Sequence, residues 1–168
     1  IVSVLRYLGF VAPETFYTNV EINGNTQKFI FQENLKKELL ESNSLVEGPI
    51  LEGDERFTIE KGFNGKSLNR ISLSRISNSR YIKDDKIKAE KSLEAITLMN
   101  QIYIQSHLSR KPNVEMLKIN KDLFKKQIFY KNFDTYESLI YAMDAIHGQS
   151  HDDRRFYYDP INNFFIPI

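Results

Sequence analysis

The sequence of 168 residues contains no cysteine, which excludes disulfides, thiolate zinc sites and cysteine nucleophiles. This absence leaves the cellular compartment open. No apolar run approaches the roughly 18 residues that a membrane-spanning helix needs, and no signal peptide is visible. The formal net charge is only +1, so neither nucleic acid nor an anionic membrane is an expected partner.

Several catalytic and nucleotide-binding signatures are also missing. The sequence has no GxGxxG or GxxxxGKS/T phosphate loop, and it lacks the HExxH and GxSxG motifs. With 41% hydrophobic and 27% charged residues, the composition is typical of a soluble globular protein and argues against disorder. The length suits one domain, or two lobes that share an interface.

A β-hairpin is the clearest local prediction. Asn23-Gly24 lies between two alternating runs, and both residues tolerate the positive φ of a type I′ turn. Counting back from the turn pairs Val20 with Gln27, Asn19 with Lys28 and Phe16 with Phe31. One face is expected to belong to the core, and it carries Phe16, Val20, Ile22, Phe29 and Phe31. The opposite face is polar and carries Tyr17, Asn19, Glu21, Lys28 and Gln32.

The remaining pattern predicts an α+β fold. Helices are expected at 1–10, at 34–42 with Asn34 as cap, at 84–108, around 121–127, and at 134–146 with an Asp134/Glu137 capping box. The long helix is expected to bury a stripe of Leu93, Ile96, Met99, Ile102 and Tyr103. A turn-rich connection at 47–55 precedes a second strand pair, 56–61 with 69–76. A β-hairpin that begins at 155–158 closes the chain.

The two ends of the chain are unusual for a complete domain. The first residue is Ile1 rather than Met, and the last residues, Phe-Phe-Ile-Pro-Ile168, lie inside a predicted strand. We therefore expect the chain to be a fragment of a longer protein.

A polar cluster runs from His147 to Pro160 and joins a predicted helix to an aromatic strand. Such a loop can hold carboxylates beside a cleft, as metal binding and general-base chemistry require. Asp152 and Asp153 are adjacent and point opposite ways on an extended backbone, so at most one is expected to ligate Mg²⁺. His147 is a candidate base, or a cap of the preceding helix.

The two arginines of this cluster have two interpretations. Arg154 and Arg155 either bind a phosphate or pair with Asp152 and Asp159. For the cluster as a whole, the alternative to a reactive site is an ion-paired turn on the surface.

Lys28 is a second candidate, because it lies mid-strand on the polar face of the predicted hairpin. A strand lysine beside a cleft can contact nucleotide phosphates, as the strand lysine of kinases does. The alternative is a solvent-facing lysine that pairs with a neighbouring glutamate.

The order of several segments resembles the spore coat protein H (CotH) kinase family. The resemblance rests on Ala12-Pro-Glu-Thr-Phe-Tyr-Thr-Asn-Val-Glu-Ile-Asn-Gly24 before a strand that ends in Gln32-Glu33, and on Glu47-Gly-Pro-Ile-Leu51 and Ser74-Arg-Ile-Ser-Asn78. It continues in His147-Gly, in Asp-Arg-Arg-Phe-Tyr-Tyr-Asp-Pro160 and in Phe-Ile-Pro-Ile168. Together these segments cover nearly the whole chain in the family's order.

The resemblance implies a partial, atypical protein-kinase-like fold, with a β-rich N-lobe (1–82) and a mostly helical C-lobe (83–168) in one domain. It implies ATP with Mg²⁺ or Mn²⁺ as cofactors and a protein hydroxyl as acceptor. In this arrangement Lys28 and Arg154 would contact the nucleotide, Asp153 would hold the metal, and His147 or Asp152 would orient or accept the proton.

The cluster departs from the family pattern at two positions. Asp153 stands where the family has Asn, and Gly148 stands near its expected Asp, while the next metal-binding Asp is expected beyond Pro167. Any kinase activity is therefore expected of the full-length parent, and this fragment is expected to be inactive. A non-enzymatic surface or coat protein that binds a partner through the same fold is therefore the alternative function.

Overall fold

The computed structural model describes residues 1–54, 73–83, 85–108, 130–149 and 153–168. In these ranges the helices are α1 (Val2–Tyr7), α2 (Lys37–Ser42), α3 (Lys86–Leu108) and α4 (Tyr130–Ala142), with 3₁₀ turns at Ser79–Ile82 and Ile146–Gln149. The strands are β1 (Thr15–Ile22), β2 (Asn25–Gln32), β3 (Ile50–Asp54), β4 (Leu73–Ile76), β5 (Arg155–Asp159) and β6 (Phe164–Pro167). The predicted strand at 56–61 and the predicted helix at 121–127 lie outside the described residues.

Strand pairing within these ranges gives a two-stranded sheet, β1–β2, and a four-stranded sheet in the order β4–β3–β5–β6. All of the pairs are antiparallel. The predicted α+β class is therefore confirmed, including the antiparallel β-rich first part and the closing hairpin, which is β5–β6. Residues 1–82 supply β3 and β4 of the larger sheet, and residues 83–168 supply β5 and β6.

The hairpin predicted around Asn23-Gly24 forms in the predicted register. Asn23 and Gly24 have φ values of 52° and 78°, as a type I′ turn requires. Phe16 pairs with Phe31, Asn19 with Lys28 and Val20 with Gln27. The two-residue turn thus fixes which side chains share a face.

The prediction that the apolar face of this hairpin belongs to the core is wrong. Phe16 and Phe31 stack with ring centroids 4.7 Å apart, yet each is 46% exposed. Val20, Ile22 and Phe29 on the same face are exposed as well. Among the described elements, β1 and β2 contact chiefly each other. No other described element therefore covers the apolar face of the hairpin.

The segment at 47–55 contains a buried strand, β3, and not the predicted turn-rich connection. Ile50 and Leu51 are fully buried, and β3 pairs with β4 on one side and with β5 on the other. Gly48 precedes the strand because the chain passes very close to β5 there. A Cβ at Gly48 would lie 2.6 Å from the Tyr158 carbonyl oxygen and 2.7 Å from Tyr157 Cε2. The glycine permits close backbone approach rather than a turn.

Helix α3 covers one face of the four-stranded sheet. The core between them is formed by Leu51, Ala95, Met99, Ile102, Tyr103, Phe133, Phe156, Tyr158 and Phe165. The predicted stripe is correct at Met99, Ile102 and Tyr103, but Leu93 is 65% exposed. The stripe runs instead through Ser92 and Ala95, which are buried and small enough to bring the helix close to the strands.

The opposite face of the sheet packs on the α2 segment, where Leu40, Ile50 and Tyr157 are fully buried. Helix α2 begins at Lys37 with Lys36 at its N-cap and no side-chain cap, so the prediction that Asn34 caps it is wrong. The chain bends at Leu35 and Lys36 before the helix, with the Lys36 N–H donating to the Asn34 carbonyl at 2.9 Å, and Asn34 is left at the surface.

Helices α1 and α4 form a third cluster, in which Leu5 and Phe10 meet Tyr136 and Ile140. Helix α4 begins at Tyr130, four residues before the predicted start, so the Asp134/Glu137 capping box does not form. The earlier turn of the helix brings Phe133 into the main core.

A hydrogen-bond network ties α3 to the closing hairpin. The Tyr158 hydroxyl donates to Glu94 Oε1 at 2.9 Å, and Lys91 Nζ donates to Glu94 Oε2 and to Asn163 Oδ1, both at 2.9 Å. The hydrogen bond from Lys91 lowers the pKa of Glu94; burial opposes this shift and the Tyr158 hydroxyl adds to it. Burial, and then the hydrogen bond to Glu94, raise the pKa of Tyr158.

Stability should therefore depend on pH through Glu94. Its folded-state pKa lies below its unfolded value, so its contribution is present above about pH 4.5 and is lost as pH falls through the lower, folded-state value. Because the side chain is 41% exposed, Glu94→Gln should cost less than about 1 kcal/mol at neutral pH. Thermal unfolding of the native chain and of Glu94→Gln, measured from neutral to acidic pH, should show their difference in stability narrowing as the pH falls. A difference that grows in acid would contradict the role of Glu94.

Gly48→Ala should destabilise the chain by about 1–3 kcal/mol, because the added methyl group collides with β5 backbone that cannot move independently. Gly148→Ala is the matched control, since its Cβ would meet Ile140 Cγ2 at an ordinary 3.8 Å. Urea unfolding of the two variants gives the comparison. Equal stabilities would show that the close approach at Gly48 does not constrain the fold.

Candidate functional site

The polar cluster predicted as a reactive loop lies between α4 and β5. His147 is exposed in the 3₁₀ turn Ile146–Gln149, and Asp153 is exposed in the turn before β5. Asp152, the other candidate proton acceptor, lies outside the described residues.

Arg154, the predicted nucleotide contact, lies in the core. Its side chain is 1% exposed, and its Nη2 donates to Glu137 Oε1 at 2.7 Å. The guanidinium carbon lies 5.5 Å from the ring centre of Phe133 and 5.9 Å from that of Phe156. The ion pair fastens the start of β5 to α4 and places Arg154 beside aromatic side chains, away from the surface.

Among the described residues, each arginine pairs with a glutamate distant in sequence and not with Asp159, while Asp152 lies outside the described residues. Arg154 pairs with Glu137, and Arg155 pairs with Glu52. The carboxylate of Asp159 instead accepts hydrogen bonds from the backbone N–H groups of Ile161 and Asn162 and from Asn162 Nδ2. Asp159 therefore closes the β5–β6 turn.

Lys28 occupies its predicted position on β2, opposite Asn19. Its ammonium group lies 4.5 Å from the centre of the Tyr17 ring, a cation–π contact on the exposed polar face of the hairpin. Gln32 lies on the same face, four residues further along β2 and about 13 Å away at the usual strand rise. The polar face of the hairpin thus runs from Lys28 to the end of β2.

A cavity of about 270 Å³ opens at this end of β2. It separates the hairpin from the four-stranded sheet and is lined by Gln32, Glu33, Asn34, Leu35, Ser77 and Arg155. A second cavity of about 340 Å³ shares Ser77 with it and extends past Tyr81 and Arg80.

An ionic cluster lies in the sheet beside the first cavity. Glu52 Oε1 accepts a hydrogen bond from Arg75 Nε at 2.9 Å and lies 2.8 Å from Arg75 Nη2, and Glu52 Oε2 accepts from Arg155 Nε at 2.9 Å. The Glu52 side chain is 11% exposed, whereas the arginine side chains are 43% and 44% exposed. One carboxylate is therefore shared by two guanidinium groups, of which that of Arg155 lines the cavity.

The predicted site residues fall into two regions. Lys28 lies on the hairpin, while His147, Asp153 and Arg154 lie at the α4–β5 connection. Sequence reasoning missed the Arg75–Glu52–Arg155 cluster because it treated the segment around Glu52 as a turn. The one available signal was the apolar pair Ile50-Leu51, which is compatible with a buried strand. A strand at this place brings Glu52 opposite Arg75.

Among the described residues, no group of three or more His, Asp or Glu side chains is close enough to form a metal site by itself. In the same residues, no helix is both long enough and apolar enough to cross a membrane.

No protein-family model matches the chain, and no curated protein sequence is significantly similar to it.

Glu137→Gln should destabilise the chain by up to about 3 kcal/mol, because it leaves the buried Arg154 cation without its partner. The control is Glu41→Gln, which removes the exposed Lys37–Glu41 pair and should cost less than about 1 kcal/mol. Urea unfolding measures both changes. A loss for Glu137→Gln no larger than the control would show that the buried pair is not a stabilising anchor.

Proposed function

We propose that this chain carries the nucleotide-binding part of a CotH-like atypical kinase, which transfers a phosphate group from ATP to a protein hydroxyl. The proposal rests on the position of the polar face of the hairpin relative to the first cavity. This face bears Lys28 and leads through Gln32 into a cavity whose other wall bears Arg155. A lysine on the face that leads to the cleft, together with an arginine in the cleft wall, favours a polyphosphate ligand.

The exposed loop before β5 supports the same function. Mg²⁺ and Mn²⁺ bound with ATP need few protein ligands, because phosphate oxygens and water supply the rest. The exposed carboxylate of Asp153 fits one such position. When bound, the metal and ATP supply charge neutralisation and the transferable phosphoryl group.

The remaining residues take the roles that phosphoryl transfer requires. Lys28 neutralises phosphate charge, and His147 or Asp152 takes the proton of the acceptor hydroxyl. The hydroxyl oxygen forms a bond to the γ-phosphorus as the bond to the β,γ-bridging oxygen breaks and ADP leaves. Arg154 acts by holding the loop through its pair with Glu137, which revises its expected contact with the nucleotide.

A binding or adhesion module is the second candidate, and the exposed apolar face of the hairpin favours it. Phe16, Phe29 and Phe31 lie together on that face, and exposed aromatic clusters of this kind mark surfaces that bind other proteins. This function requires neither ATP nor a divalent cation.

Thermal unfolding with ATP plus Mg²⁺ or Mn²⁺ tests the proposal, because a ligand that binds only the folded state stabilises it by mass action. We expect the melting temperature to rise for the native chain. The rise should be lost in Lys28→Ala, which removes the phosphate contact, and in Asp153→Ala, which removes the metal ligand.

Lys37→Ala is the matched control, since Lys37 is an exposed lysine paired with Glu41 on α2. It should keep the full nucleotide response. No response of the native chain to either metal–ATP pair would favour the binding module, and a response unchanged in Lys28→Ala would remove the assigned site.

A further inference from the structure

We propose that the cavity between the end of β2 and the four-stranded sheet binds the phosphate group of a small phosphorylated molecule, with Arg155 as its charged contact. The inference goes beyond nucleotide binding, because it requires neither a metal ion nor a phosphate transfer. It rests on the charge of the Arg75–Glu52–Arg155 cluster and on the donors that line the cavity.

The cluster has one positive charge in excess. Both oxygens of Glu52 are occupied, one by two nitrogens of Arg75 and the other by Nε of Arg155. Arg75 alone pairs with the carboxylate through one hydrogen bond and a close Nη2 contact, so the second arginine is not needed to neutralise Glu52. The excess charge faces the cavity, because Arg155 is the cluster member that lines it.

Arg155 is pre-positioned to bind an anion. Its Nε is committed to Glu52, which fixes the plane of the guanidinium group, while Nη1 and Nη2 have no hydrogen-bond partner among the described residues. A guanidinium group that is held in one orientation loses less conformational entropy when it binds. Its planar fork matches two oxygens of a phosphate or carboxylate.

The neutral lining favours phosphate over carboxylate. The side chains of Gln32, Asn34 and Ser77 line the same cavity, and none has a side-chain hydrogen bond to another described residue. Together with Arg155 they offer more donors than the two oxygens of a carboxylate can accept. A phosphate group presents three terminal oxygens and uses such a set more fully.

Glu33 is the one carboxylate in the lining, and its charge is already compensated. Its Oε2 accepts the backbone N–H of Glu14 at 3.0 Å and lies 3.9 Å from Arg6 Nη1. These two donors reduce its repulsion of an incoming anion and hold the carboxylate on the Glu14 side.

The test is a titration of the chain with inorganic phosphate and pyrophosphate, without metal, followed by two-dimensional amide NMR. We expect saturable shifts of the Gln32–Leu35, Ser77 and Arg155 amides. Arg155→Gln should weaken binding at least about tenfold, because it removes charge-assisted hydrogen bonds. Arg155→Lys should restore only part of the affinity, since it keeps the charge and loses the fork.

Arg75→Gln is the matched control, because Arg75 bonds the same carboxylate but does not line the cavity. It removes the excess charge but keeps the Arg155 fork in the cavity wall, so it should weaken binding less than Arg155→Gln does. Absence of saturable shifts, shifts that do not cluster at the cavity, or equal losses in Arg155→Gln and Arg75→Gln would each overturn the proposal.

The two proposals fail separately. Phosphate binding that depends on Arg155, with no response to ATP and metal, would remove the nucleotide proposal and keep this site. A nucleotide response that depends on Lys28 and Asp153, without binding of phosphate alone to the cavity, would keep the nucleotide proposal and remove this one.

Discussion

The pairing of β3 with β5 is the constraint on which the rest of the structure depends. It joins Ile50 to Tyr157, more than a hundred positions apart in sequence, and it makes these two strands the centre of the four-stranded sheet. Helix α3 packs on one face of this pair and the α2 segment on the other. Closing so long a loop costs entropy before any contact forms, so the fully buried side chains of both strands must together offset it.

The same pairing explains why two neighbouring arginines have different roles. Successive side chains of an extended chain point to opposite faces, so Arg154 enters the core on the α3 and α4 side while Arg155 emerges on the α2 side. There the strand pairing places Glu52 directly beside it. One arginine is therefore a buried anchor and the other a charged edge of a cavity, although both follow the same pair of aspartates in the sequence.

The sequence predicted those features that depend on neighbouring residues, such as a tight turn. It did not predict those that depend on contacts between segments distant in sequence. Asn23-Gly24 fixed the register of the first hairpin residue by residue, because a two-residue turn leaves no alternative pairing. Gly48 and Gly53 suggested a turn at β3. Glycine is also required where two backbones approach closely, as Gly48 and β5 do. Only the position of the partner strand distinguishes a turn from such a close approach. Alternation on the hairpin correctly predicted an apolar face, but it contains no information on whether another element covers that face. The candidate loop was predictable as a polar cluster, whereas the Glu52–Arg155 contact depends on strands that are distant in sequence.

The arrangement of the hairpin connects the two candidate functions. Because β1 and β2 contact chiefly each other among the described elements, a ligand held by both Gln32 and Arg155 would add a link between the two sheets. Such a ligand favours hairpin orientations that keep both contacts. Thermodynamic linkage makes this effect reciprocal, so a partner that binds the exposed Phe16–Phe31 face and prefers one orientation changes the affinity of the cavity by the same factor. A hairpin with more than one orientation would therefore couple anion binding to partner binding, because both ligands act on the same element.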